Sequence, residues 1–203
     1  MIHRTALTAL VGFLLAIGVT LGQTQITLHK IELDDPKAAF THPMGFVFPA
    51  EVNGMPRETI RRHDDAGKDI GVDYDHSSPY IHATVYVYPG LTAGQTPKSH
   101  FKETVDFLAS VDGAKLIKTE KPTIALGDKK VTGHRAIIAV TKPHHLAKNG
   151  DSITEFYIFP LTENWLLKFR ITYRAEFKKE AAPIIEKFIN GFAWPDKKSS
   201  SAK

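Results

Sequence analysis

Near the C-terminal end, residues 165–174 read WLLKFRITYR, and this alternation constrains the fold more than any other stretch of the chain. In an extended strand successive side chains point to opposite faces. Trp165, Leu167, Phe169, Ile171 and Tyr173 therefore share one side, and Lys168, Arg170, Thr172 and Arg174 share the other. Residues 80–88, YIHATVYVY, repeat the pattern, with Ile81, Ala83, Val85 and Val87 apolar and Tyr80, His82, Thr84, Tyr86 and Tyr88 on the opposite side. Strands that are dry on one face and polar on the other belong to an antiparallel sheet.

The other segments fit around these two. RETIRRHDD and DIGVDYD read as short polar strands joined by a Gly-Lys turn, and GFVFP as a short apolar strand. AKLIKTEKPTIAL is a strand broken at Pro122, and KKVTGHRAIIAVTK and SITEFYIFP are two more. Thr96 is a good N-cap with Pro97 at the first helical position. Phe101, Val105, Leu108 and Val111 then recur at helical spacing up to Gly113. A last helix carries Phe177, Ala181, Ile184, Ile185, Phe188 and Phe192 on one stripe, with Pro183 off it as a kink or as the helix start. Runs of strands with helices placed singly predict α+β with a largely antiparallel sheet flanked by helices, rather than alternating βαβ units.

The first 22 residues have one arginine, no acid and an apolar run from Ala6 to Leu21. That run is shorter than the roughly 20 residues a bilayer span needs, so the segment reads as a signal peptide cut after Gly22. Residues 23–195 then form a single domain, and 196–203 a polar disordered tail. A periplasmic or secreted location follows, with no stable membrane insertion after cleavage. The chain has no cysteine, which rules out disulfides and thiolate metal sites. A net charge of +4, with no basic run longer than the lysine pair at 197–198, does not suggest nucleic acid.

The order of elements resembles the PsbP superfamily. The likeness is carried by the early GFVFP strand, the mid-chain helix before a set of antiparallel strands, the late LLKFRITYR strand and the closing FINGFAWP helix. It extends to exported bacterial proteins of similar layout, matched here by Arg57 to His63, Gly71 to Tyr74 and Ala83 to Tyr88. The resemblance implies an α/β/α sandwich used mostly for docking to other proteins. It transfers no functional residue.

No G-x-S-x-G elbow, H-E-x-x-H, P-loop, G-x-G-x-x-G or EF-hand loop occurs. TKPHHLAKNGDS, Thr141 to Ser152, is the most conspicuous polar stretch. With a two-residue turn at Asn149-Gly150, His145 falls opposite Thr154 and His144 opposite Glu155, on alternate faces. The expectation is a polar hairpin tip; a metal there would need His144, His145 and Glu155 to converge in a longer loop. The run Arg61 to Asp65 reads as a solvated edge strand, its rival reading being half of a metal site with Asp75 and His76. No cofactor is expected.

The polar strand faces carry the functional expectation. If His82, Tyr86 and Tyr88 lie beside Lys168, Arg170 and Arg174 on one side of the sheet, they form an aromatic and basic surface. Arg is then a planar fork and Tyr an amphipathic anchor. The chain is thus expected to be an exported, non-enzymatic domain that binds an envelope protein or a small anionic ligand through a sheet face. The alternative is a metal-dependent or motif-less hydrolase built on dispersed His and Asp residues, with His144, His63 and His82 as candidates.

Overall fold

The computed structural model of the chain describes residues 29–126, 129–141, 151–162 and 164–193. Seven strands precede the first helix: β1 (His29–Ile31), β2 (Phe40–Thr41), β3 (Val47–Phe48), β4 (Glu51–Val52), β5 (Met55–Arg62), β6 (Ile70–Ser77) and β7 (Tyr80–Tyr88). After α1 (Pro97–Ser110) come β8 (Ala114–Glu120), β9 (Thr123–Leu126), β10 (Lys129–Thr132), β11 (His134–Val140), β12 (Ser152–Pro160) and β13 (Leu166–Arg174). A single 3-10 turn, Ala175–Phe177, leads into α2 (Lys178–Asn190).

The fold is α+β around one large antiparallel sheet, with strand order β1-β5-β6-β7-β13-β12-β11-β8 and β4 paired to the start of β5. Local chemistry sets several of its turns. Asn53 and Gly54 join β4 to β5 with φ of 50° and 84°, the positive values a two-residue hairpin turn demands. At α1, the Thr96 hydroxyl accepts from the Ser99 N–H while the Ser99 hydroxyl accepts from the Thr96 N–H. This reciprocal cap satisfies two donors that the first helical turn leaves open.

The alternation sorts the two faces as expected. Val85, Val87, Leu167, Phe169, Ile171 and Tyr173 join one large buried cluster with Ala181, Ile185, Phe188 and Ile189 of α2. Rings of Phe46, Phe48, Tyr74, Phe169, Phe188 and Phe192 interlock there, with centroids 4.9–6.2 Å apart in mostly edge-to-face pairs. A smaller cluster uses the alternate positions Ala136, Phe156, Ile158 and Leu166 with Phe101 and Val105 of α1. Because α1 covers only these positions, the same face along β5, β6, β7 and β13 is left to polar residues. α2 continues through Pro183; it buries Ile189 fully and packs Ile184 partly buried against the same core.

Two sequence expectations change. Arg61 and Arg62 are not on an edge, since β1 pairs with Ile60, Arg61 and Arg62. Residues 25–33, QITLHKIEL, alternate like a strand, but nothing local says that it pairs with residues 60–62. The register expected of the 141–152 stretch does not hold either. β11 and β12 pair from Val140–Ser152 inward, which puts Ile137 opposite Glu155 and Ile138 opposite Thr154. That register does not fit a turn at Asn149-Gly150; His144 and His145 lie outside the described residues. The free edge, β8, is blunted by Lys115, Lys118 and a bulge at Ile117, devices that discourage edge-to-edge pairing.

Among the described residues no helix is long and apolar enough to cross a membrane.

Candidate functional site

Pairing of β7 with β13 sets Tyr86 against Lys168, Thr84 against Arg170 and His82 against Thr172. On the other side of β7, β6 puts Gly71 beside Tyr86 and Asp73 beside Thr84. One polar face therefore runs across three adjacent strands, and it divides into two groups.

The first group centres on Lys168, which is 4% exposed. Its ammonium lies over the Tyr86 ring at 3.9 Å and the Tyr88 ring at 4.9 Å. It makes no hydrogen bond or ion pair with a described residue. Gly71 makes the room for a lid. A Cβ there would sit 2.7 Å from His63 Nε2 and 3.0 Å from the Tyr86 ring, so only glycine lets His63 rest on Tyr86, with ring centroids 5.7 Å apart. His63 is set by the turn that follows β5, where Asp64 Oδ1 accepts from the Lys68 and Asp69 N–H groups. Tyr88 is tied to α1 through His100, whose Nε2 is 2.9 Å from the phenol oxygen. Arg170 stands two residues from Lys168 on the same strand face, partly exposed and without a hydrogen bond or ion pair among the described residues.

Burial dominates the electrostatics here. It pushes the Lys168 ammonium down to about 7, with Asp69 opposing and Arg170 assisting. It lifts the Asp69 carboxyl to about 6 against the pull of Lys168. Burial, then the Lys168 and Arg61 charges, holds His63 down to about 4. These shifts have opposite consequences for folding. Between about 4 and 6.5 the unfolded chain holds the His63 proton and the folded chain does not, so His63 makes stability rise with pH. Asp69 is protonated longer in the folded state; its contribution is full below 3.8 and lost as pH rises toward about 6. The two slopes oppose each other over nearly the same window. Asp69→Asn should therefore unmask the His63 slope, so that the urea midpoint of the variant climbs with pH from about 4 to 6.5 more steeply than that of the parent. Parallel profiles would contradict this.

The second group lies toward the other end of β7. Asp73, 4% exposed, pairs with Arg61 and accepts from the Thr84 hydroxyl at 2.9 Å. His82 Nδ1 is 2.7 Å from Asp75 Oδ1, and its Nε2 is 3.8 Å from Asp73 Oδ1 and 3.5 Å from Thr84 Oγ1. An oriented Asp–His pair beside a hydroxyl resembles a nucleophile and its base. Here, however, Thr84 donates to Asp73 rather than to His82, and Thr84 is 3% exposed. His76 Nδ1 is 2.8 Å from the Pro79 carbonyl. Among the described residues no group of three or more His, Asp or Glu is arranged to hold a metal ion, which leaves the arrangement considered for Arg61 to Asp65 with Asp75 and His76 without support.

The structure thus brings Tyr86, Tyr88, Lys168 and Arg170 together. His82 stands four residues away along β7, with the Asp73 group. Arg174 lies apart, paired with Glu176 at 2.9 Å and set 5.7 Å from the Phe177 ring. Tyr86 is a buried floor, 3% exposed, rather than the exposed anchor the alternation suggested. Asp69, His63 and His100 join the group through turns and a helix that no strand pattern reveals. Glu155 is on the other face of the sheet, 2% exposed. Its oxygens accept from Arg135 at 2.6 and 3.1 Å, from Tyr173 at 2.7 Å and from Tyr157 at 2.5 Å. This network, three bonds on Oε2 and one on Oε1, accounts for the Glu155 carboxylate without a metal.

Comparison with protein-family models and with curated proteins finds no match.

Proposed function

We propose that the chain is an exported, non-enzymatic domain that binds a small anionic ligand on the β7–β13 face, at Lys168 and Arg170. One observation carries the reading: two cations stand side by side on one strand face, and neither has an anionic partner within hydrogen-bonding or ion-pairing reach among the described residues. Buried cations are ordinarily paired. Arg170 offers a planar fork for a carboxylate, and Tyr86 and Tyr88 wall the amine. A small ligand suits this geometry better than a protein surface, because Lys168 and Tyr86 lie below a rim of partly exposed groups. Protein hot spots need large side chains that reach the partner.

Glycolate is a suitable probe. A ligand that needs the ammonium should bind on the order of tenfold more weakly at about pH 8.5 than at about pH 6.5, because Lys168 loses its charge through about 7. Arg170→Gln should weaken binding about tenfold, the worth of a charge-assisted hydrogen bond, and leave thermal unfolding unchanged. Calorimetric titration reads both. Equal affinity at the two pH values and in the variant would refute the proposal.

The 2.7 Å contact between Asp75 and His82 favours a second reading, a motif-less hydrolase. The Thr84 hydroxyl, committed to Asp73, argues against it. The wider reading keeps residues 1–22 as a signal peptide and a periplasmic or secreted location, on the strength of their basic start and apolar run. It also keeps the PsbP-like sandwich, supported by the way α1 and α2 pack on alternate strand positions.

A further inference from the structure

We infer that the ligand is a small α-oxo acid, held reversibly on Lys168 Nζ as an imine while Arg170 takes its carboxylate; this rests on the anion-binding reading above. Three features carry it beyond simple ion pairing. First, the amine is more than nine-tenths buried on aromatic faces, with no hydrogen-bond partner among the described residues. Such surroundings favour the neutral, nucleophilic form, and burial lowers the Lys168 pKa accordingly. Second, residues two apart on one strand face are separated by about 7 Å at the backbone. Long side chains at 168 and 170 can therefore close on adjacent carbonyl and carboxylate groups of one small molecule. Third, Asp69 interacts electrostatically with both Lys168 and Tyr88, and burial keeps its carboxyl titrating close to neutrality, as a proton carrier requires.

The step balances without any oxidant or reductant. The Nζ lone pair forms a bond to the carbonyl carbon as the C=O π pair moves onto oxygen. A proton leaves nitrogen and one reaches that oxygen through Asp69, giving the carbinolamine. A second proton on the hydroxyl lets water depart while the nitrogen lone pair closes the C=N bond. Amine, oxo acid and one proton taken from solvent become iminium and water, and the Asp69 charge favours that cation.

Glyoxylate with cyanoborohydride, added to the whole folded chain near pH 7, tests this by turning any imine into a stable carboxymethyl group. Peptide mapping should find Lys168 modified at least about tenfold faster than the mean of the exposed lysines. Glycolate should slow that labelling by competition. In Arg170→Gln, glyoxylate labelling at Lys168 should fall about tenfold further than labelling by propanal, which has no carboxylate and so reports any change in the amine itself. Modification confined to other lysines would overturn the inference. If glycolate binds but Lys168 stays unlabelled, the imine fails and anion binding stands. If propanal and glyoxylate label Lys168 equally and glycolate does not compete, the oxo-acid assignment fails together with the anion reading.

Discussion

Replacing Glu155 by alanine is expected to cost the folded state about 3–5 kcal/mol, the range for removing one partner of a buried ion pair. The change strips the acceptor from Arg135 and from the Tyr157 and Tyr173 hydroxyls at once. Burial pushes both phenols well above their ordinary range, with the Glu155 charge adding to it; these hydroxyls stay protonated and need an acceptor. Arg135 keeps Glu120 at 2.8 Å, but that partner is 37% exposed and worth less than about 1 kcal/mol. Urea unfolding of Glu155→Ala and Glu120→Ala should therefore differ severalfold in cost. Similar small losses in both would mean that the network is not a single buried unit.

Truncating Phe188 to alanine should be as damaging, about 3–5 kcal/mol, with Phe188→Leu costing about 1–1.5 kcal/mol. Phe188 is fully buried and its ring meets Tyr74, Phe169 and Phe192 at 5.3, 6.2 and 5.2 Å. It fixes α2 to β6 and β13 together, so the lost volume lies where helix and sheet meet and cannot collapse easily. A loss under about 1 kcal/mol for the alanine variant would show that α2 is only loosely docked.

Much of this architecture was legible because burial leaves a period. Residues 165–174 and 80–88 announce which positions enter the main core, and β13 and β7 sort as that pattern requires, although Thr84, Tyr86 and Lys168 on the opposite face are buried as well. Thr96 and Pro97 mark the start of α1 for equally local reasons. Pairings between distant segments left no such mark. Nothing near Arg61 tells that β1 covers it, and nothing in TKPHHLAKNGDS reveals the register that sets Val140 opposite Ser152.

The candidate site divides along the same line. Lys168, Arg170, Tyr86 and Tyr88 were readable as polar strand positions, whereas their conversion into a half-covered group depends on Gly71, the turn carrying His63 and Asp69, and the placement of His100 on α1. Gly71, an isolated glycine in an otherwise polar strand, was the one local hint of that close approach. Arg174 shares the alternation but not the neighbourhood, since Glu176 and Phe177 hold it at the far end of β13. Periodicity tells which side a residue faces, not which residues meet there.

The central claim is that a small anion settles on this face at Lys168 and Arg170. Amide chemical-shift mapping of the labelled chain during a glycolate titration tests it most directly. The account predicts saturable shifts confined to residues around Lys168, Arg170, Tyr86, Gly71 and His63, and their loss in Lys168→Met. Shifts scattered over exposed lysines such as Lys115 and Lys118, growing linearly with glycolate and unaffected by that substitution, would contradict it.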